Sequence, residues 1–219
     1  MYSFGNNQTG QLARDPPDLF DELITDPLVQ IWLKPNPILA FQGEKVLNVW
    51  AGGHGFFAAI ENISIDIFAC GANTYGQLGH PSTEAIYLPV KIESLSSLHS
   101  IRSIGCGIHH TLILDYQARV YGFGRSDDGR LGNLTEDVWL PQQIEHLSDI
   151  VDIAVGGSVS FAIDRQGQIY SFGMGLTCQT GHGNHDVFQP TIIDAKQLKH
   201  RHIEQISVGA QHTLFLVKT

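Results

Sequence analysis

The sequence predicts an all-β fold built as a β-propeller. Three observations carry that expectation: a glycine frame that recurs four times, a second frame that follows each copy, and short apolar runs separated by tight-turn signals. The chain has 219 residues, 42% hydrophobic and 16% charged, which is ample for a buried core. Its 23 glycines exceed the usual share of ~7%. The repeats account for much of that excess.

The first frame reads Y/F-x-x-G-x4-G-Q/R-L. It spans Phe4-Gly5 to Gln11-Leu12, Cys70-Gly71 to Gln77-Leu78, and Phe123-Gly124 to Arg130-Leu131. A fourth copy begins at Tyr170-Ser171-Phe172-Gly173, with Cys178 in place of its second glycine. The leading glycines Gly5, Gly71, Gly124 and Gly173 are therefore expected to be structural, and they lie 66, 53 and 49 residues apart. The second frame is Ala51-Gly52-Gly53-His54, Cys106-Gly107-Ile108-His109, Val155-Gly156-Gly157-Ser158 and Val208-Gly209-Ala210-Gln211. Between the frames stand Pro89, Pro141 and Pro190, 18, 17 and 17 residues after the leading glycine. The units run approximately 2–67, with an acidic insertion at 13–36, then 68–120, 121–169 and 170–219.

Each unit reads as strands. His110-Thr111-Leu112-Ile113-Leu114 and His212-Thr213-Leu214-Phe215-Leu216 are short, apolar and rich in strand formers. Ile163 to Tyr170 reads as a hairpin, with Asp164 opening the turn and Gly167 supplying a positive φ. Leu114 to Tyr121 repeats it with Ala118 in the glycine's place. Asp18 to Leu28 could form one short turn of helix. Units of about 50 residues suit four-stranded propeller blades; a solenoid is the competing architecture, with repeats that are usually shorter.

Charge and motifs exclude several classes. A net charge of −9, from 13 Lys+Arg against 22 Asp+Glu, argues against direct nucleic-acid binding. No apolar run approaches a membrane span, and Met1-Tyr2-Ser3-Phe4-Gly5 does not read as a secretory signal. Cys70, Cys106 and Cys178 form no CxxC, which favours a reducing compartment. The eleven histidines lack metal-ligand spacing, and neither a cofactor fingerprint nor a catalytic motif is present. No metal, cofactor or catalytic residue is expected.

Recognition is expected where the repeats vary. The position just before the consensus histidine is His54, His109, Ser158 and Gln211 in successive units. Equivalent positions in neighbouring blades line one rim, so these four form a candidate contact row. His110 and His212 sit at the consensus position itself and are expected to hydrogen-bond between blades.

The combination Y-x-F-G-x-N-x-x-G-Q-L-G, a proline strand, then C-G-x-x-H-T-x-x-L resembles the repeat of the regulator of chromosome condensation family. Phe68 to Gly79 with Ile104 to Leu114 is the best copy, and the resemblance covers Tyr2 to Thr219. It implies a seven-bladed propeller of which these four units form the C-terminal part, hence a partial ring; a closed four-bladed ring is the alternative. It also implies guanine-nucleotide exchange on the small GTPase Ran, and a nuclear protein with the cytoplasm as a second compartment. The alternative function is an interaction scaffold without exchange. By resemblance, Arg14, His109 and His212 align with residues that contact the GTPase. The family's critical aspartates and nucleotide-displacing wedge fall in repeats upstream of those present. The family's basic nucleosome-gripping loop is matched in position by residues 13–30. Here that loop carries Asp15, Asp18, Asp21, Glu22 and Asp26 against Arg14 alone, so nucleosome binding by it is not carried over. Plant ultraviolet receptors share the propeller but repeat a tryptophan motif, whereas Trp32, Trp50 and Trp139 are scattered here.

Overall fold

The computed structural model describes residues 1–13, 35–62, 64–96, 98, 101–194, 196, 198 and 201–218, the side chain of His202 apart. Arg14, most of the acidic insertion and the possible helical turn at Asp18–Leu28 lie outside the described residues.

Three four-stranded antiparallel sheets follow one another along the chain. The first is β3 (Val46–Ala51), β4 (Gly55–Glu61), β5 (Ile65–Gly71) and β6 (Ile86–Lys91), after β1 (Tyr2–Ser3) and β2 (Asn36–Pro37), which pair with each other. The second is β7 (Ile101–Cys106), β8 (His110–Asp115), β9 (Val120–Gly124) and β10 (Val138–Gln143). The third is β11 (Ile150–Val155), β12 (Val159–Asp164), β13 (Ile169–Gly173) and β14 (Val187–Ile192). A closing pair, β15 (His202–Val208) and β16 (Thr213–Lys218), forms a second two-stranded sheet. Each sheet is an up-and-down meander, and the described strands make up part of a propeller ring.

The sheets are blades because they pack face to face. Strand β7 lies on β3 and β4, β11 on β7 and β8, and β15 on β11, so the first strands gather around the ring axis. Second strands, covered on both faces, carry no polar–apolar alternation: all six residues of β8 and of β12 are buried. Phe57 meets Phe123 edge-on at 6.5 Å across one blade interface, and Phe161 meets Phe215 at 6.1 Å across another. The prolines Pro89, Pro141 and Pro190 fall on the fourth strands β6, β10 and β14, where a missing N–H faces no further strand.

Both hairpin expectations hold. The Gly167 amide donates to the Asp164 carbonyl at 3.0 Å with φ +80°, and Ala118 takes the same place at φ +63°. The opening carboxylates Asp164 and Asp115 accept the Gln168 and Arg119 amides at 2.8 Å, which explains how Ala118 is held there. The sequence units are offset from the blades. Each runs from the third strand of one sheet to the second strand of the next.

Candidate functional site

At one end of the blades, the loops joining first to second strands form a continuous ribbon. The Gly53 amide donates to the Gly107 carbonyl at 3.2 Å, Ile108 to Gly157 at 3.1 Å, and Gly157 to Gly209 at 3.4 Å. These bonds step from blade to blade through the second sequence frame. They place His54, His109, Ser158 and Gln211 in order along one rim.

The first frame fixes this row from behind. The amide after each of Gly71, Gly124 and Gly173 donates to a rim carbonyl: Ala72 to His54 at 2.8 Å, Arg125 to His109 at 2.9 Å, and Met174 to Ser158 at 2.9 Å. Such an approach requires the left-handed backbone of Gly71, Gly124 and Gly173, with φ of +125°, +107° and +117°. A Cβ there would lie 2.3 to 2.5 Å from the same rim carbonyls. A hydroxyl latch adds a third tie. Thr111 Oγ1 donates to the Gln77 carbonyl at 2.7 Å, Ser160 Oγ to Arg130 at 2.9 Å, and Thr213 Oγ1 to Gln179 at 3.0 Å.

Side chains cluster most densely around His109. Its ring centroid lies 5.4 Å from that of His54 and 5.0 Å from that of Tyr75. The Arg125 guanidinium stands 4.9 Å from the Tyr75 ring centroid and pairs with Asp127 at 2.5 Å. Partial burial, then the nearby His54, Arg130 and Arg125 charges, hold the His109 pKa below its ordinary value. Both causes favour the neutral ring. The rim here offers an apolar, aromatic contact beside a cation, which is the side-chain chemistry of protein-interface anchors.

His110 points the other way. It is buried, and its Nε2 lies 2.9 Å from Ser160 Oγ of the next blade. The Ser160 proton is committed to the Arg130 carbonyl, so the His110 Nε2–H is the donor. The interblade bond expected of His110 is thus present. His212 is exposed, its ring resting on the backbone of Gly209, and neighbouring Gln211 is also exposed. The structure thus brings His54 and His109 into contact and sets Ser158 and Gln211 further along the same ribbon. Tyr75 and Arg125 were missed by the sequence reading. Both lie at varying positions inside the first frame, the signal that identified the rim row in the second.

A family model described as "RCC1-like domain" matches residues 1–215. The human protein named Regulator of chromosome condensation is 30% identical over 226 residues, covering 100% of this chain and 53% of its own length. The human E3 ubiquitin-protein ligase HERC2 is 30% identical over 218 residues, covering 98% of this chain and 4% of the ligase. Among solved structures, Prp20p from Saccharomyces cerevisiae superposes with a TM-score of 0.82 at 23% identity, over 99% of this chain and 51% of that one. The chain spans about half the length of the regulators of chromosome condensation from human, frog and mouse that it matches.

Proposed function

The chain belongs to the RCC1-like domain family, and on that premise we propose that it binds a small GTPase of the Ran kind on the His54–Gln211 rim and promotes release of the bound guanine nucleotide. The observation that carries this reading is the rim itself. Varying side chains stand on loops that three sets of backbone and hydroxyl bonds hold still. Preorganised loops lose little freedom on binding, and the His54–His109–Tyr75–Arg125 cluster supplies the anchor. Homology to the regulator of chromosome condensation supports the GTPase as partner. The same homology supports a nuclear location.

The work is done by contacts, not by making or breaking bonds. An exchange factor binds the nucleotide-free GTPase more tightly than the loaded one, so nucleotide and exchange factor weaken each other's binding reciprocally. Weakening the nucleotide by about 10⁵ needs about 7 kcal/mol of differential contact. A rim that holds only some of the contacts binds without reaching that figure. The match, at the same 30% identity, to a ubiquitin ligase of which it covers only 4% favours a second reading, an interaction scaffold without exchange.

The rim is tested by titrating nucleotide-free Ran with the chain in a calorimeter. His109→Ala is expected to weaken binding about tenfold, about 1.4 kcal/mol, with the unfolding midpoint unchanged. Tyr75→Ala is expected to act in the same direction, because it removes the ring between His109 and Arg125. Undiminished affinity in both variants would contradict the assignment of this rim.

A further inference from the structure

The outer strands of the three complete blades carry a repeated feature of their own. Two residues before Pro89, Pro141 and Pro190 stands an aromatic side chain: Tyr87 in β6, Trp139 in β10 and Phe188 in β14. A carboxylate precedes each by two or three residues, at Glu84, Glu136 and Asp186. We propose that this outer wall docks a lysine- and arginine-rich segment of a partner protein, its cations lying over the aromatic rings and pairing with the carboxylates. The wall is separate from the rim loops, so the inference is independent of the GTPase reading.

The backbone fixes the three aromatic positions alike. Each fourth strand crosses the second glycine of a first-frame copy that lies one step back in the chain. A Cβ on Gly10, Gly76 or Gly129 would lie 2.7, 2.9 and 2.6 Å from the Cα of Tyr87, Trp139 and Phe188 respectively. Every outer strand is therefore seated on its neighbouring loop in the same way. Phe188 is 61% exposed and Tyr87 39%, while Trp139 is half-buried with its ring against Gly76. Leu88 and Leu140, the next residues along, are exposed too. Apolar side chains scattered singly on a surface need no explanation, but recurrence at one place in successive blades marks an interaction surface.

Charge selects the occupant. Residues 81–89, 133–141 and 183–190 contain no Lys or Arg, and His185 is the one base among them. Lys45, Lys91, Arg119, Arg125 and Arg130 pair with carboxylates elsewhere, and none of the ion pairs among the described residues reaches Glu84, Glu136 or Asp186. One Asp186 oxygen accepts the Gly175 amide at 2.9 Å, which leaves the other for a ligand. An aromatic face attracts a cation, and a carboxylate beside it completes the contact. The same groups repel an anion, as does the net charge of −9. Docking through the strand backbone is blocked, because each of these edges is interrupted by its proline. Recognition on this wall therefore falls to the side chains.

The test is fluorescence anisotropy of a fluorescein-labelled peptide of alternating arginine and alanine, titrated with the intact chain. A peptide with glutamate in place of arginine is the comparison. The arginine peptide is expected to bind, and to bind about tenfold more weakly when salt is raised from about 50 mM to about 500 mM. Trp139→Ala is expected to weaken it about fivefold and Glu136→Gln about threefold. Phe188→Ala, at the more exposed ring, gives the same reading without disturbing packing. Glu145→Gln removes the same charge beyond the other end of β10 and is expected to leave binding unchanged. Four results would overturn the proposal: no binding of the arginine peptide, equal binding of the glutamate peptide, a loss in Glu145→Gln that matches Glu136→Gln, or full affinity in both Trp139→Ala and Phe188→Ala.

Discussion

Gly124→Ala is expected to lower the unfolding free energy by about 3 kcal/mol, read as a drop of about 6–12 °C in the thermal midpoint. Two causes combine. The backbone at Gly124 sits at φ +107°, which an L side chain adopts only with strain. The added methyl would also lie 2.4 Å from the His109 carbonyl oxygen and 2.8 Å from His110 Cα. Both obstacles are backbone, so no side-chain rotation relieves them. Moving them breaks the Arg125-to-His109 hydrogen bond and displaces the rim. Gly167→Ala is the control. Its φ is +80°, but nothing lies within 4 Å, so only the conformational cost of about 1 kcal/mol is expected. Equal losses in the two variants would show that the close approach at Gly124 contributes nothing.

His110→Ala is expected to cost about 2–3 kcal/mol, and it should also change how stability depends on pH. The ring fills the space between second and third blades and donates to Ser160. Burial, with Arg130 and His109 nearby, pushes its pKa down from 6.5 to about 3. The folded protein therefore keeps His110 neutral where the unfolded chain takes up a proton. The stability contribution is fully present above pH 6.5 and is lost as pH falls from there toward 3, by about 1.4 kcal/mol per pH unit. His109, shifted in the same direction, adds to the slope. Urea titrations of both proteins at intervals from pH 7 to pH 4 isolate the His110 share as the difference between them. A difference that stays constant with pH would contradict a buried neutral imidazole.

Much of this architecture was legible because the repeat frames mark physical necessities. The leading glycines recur where backbone meets backbone, the prolines where a fourth strand has no outer neighbour, and Asp115 and Asp164 where a hairpin opens. What stayed hidden depends on contacts far apart in the chain. Nothing in the sequence tied His110 to Ser160, 50 residues on, because the partner sits in the next blade. The Tyr75–Arg125 stack was hidden for the same reason: each residue alone reads as an ordinary loop position. The offset between sequence unit and blade was hidden too, since periodicity fixes the length of a repeat but not which strand begins it. Arg14 lies outside the described residues, so its role rests on the resemblance alone.

The central claim is that this rim acts on a loaded GTPase. It is tested most directly by following the release of fluorescently labelled GDP from Ran by stopped flow as the chain is added. The release rate is expected to rise with chain concentration to a plateau, with an acceleration about tenfold smaller for His109→Ala, in step with its weaker binding. Release that stays at the spontaneous rate while binding saturates would contradict exchange by this chain and leave the rim as a docking surface.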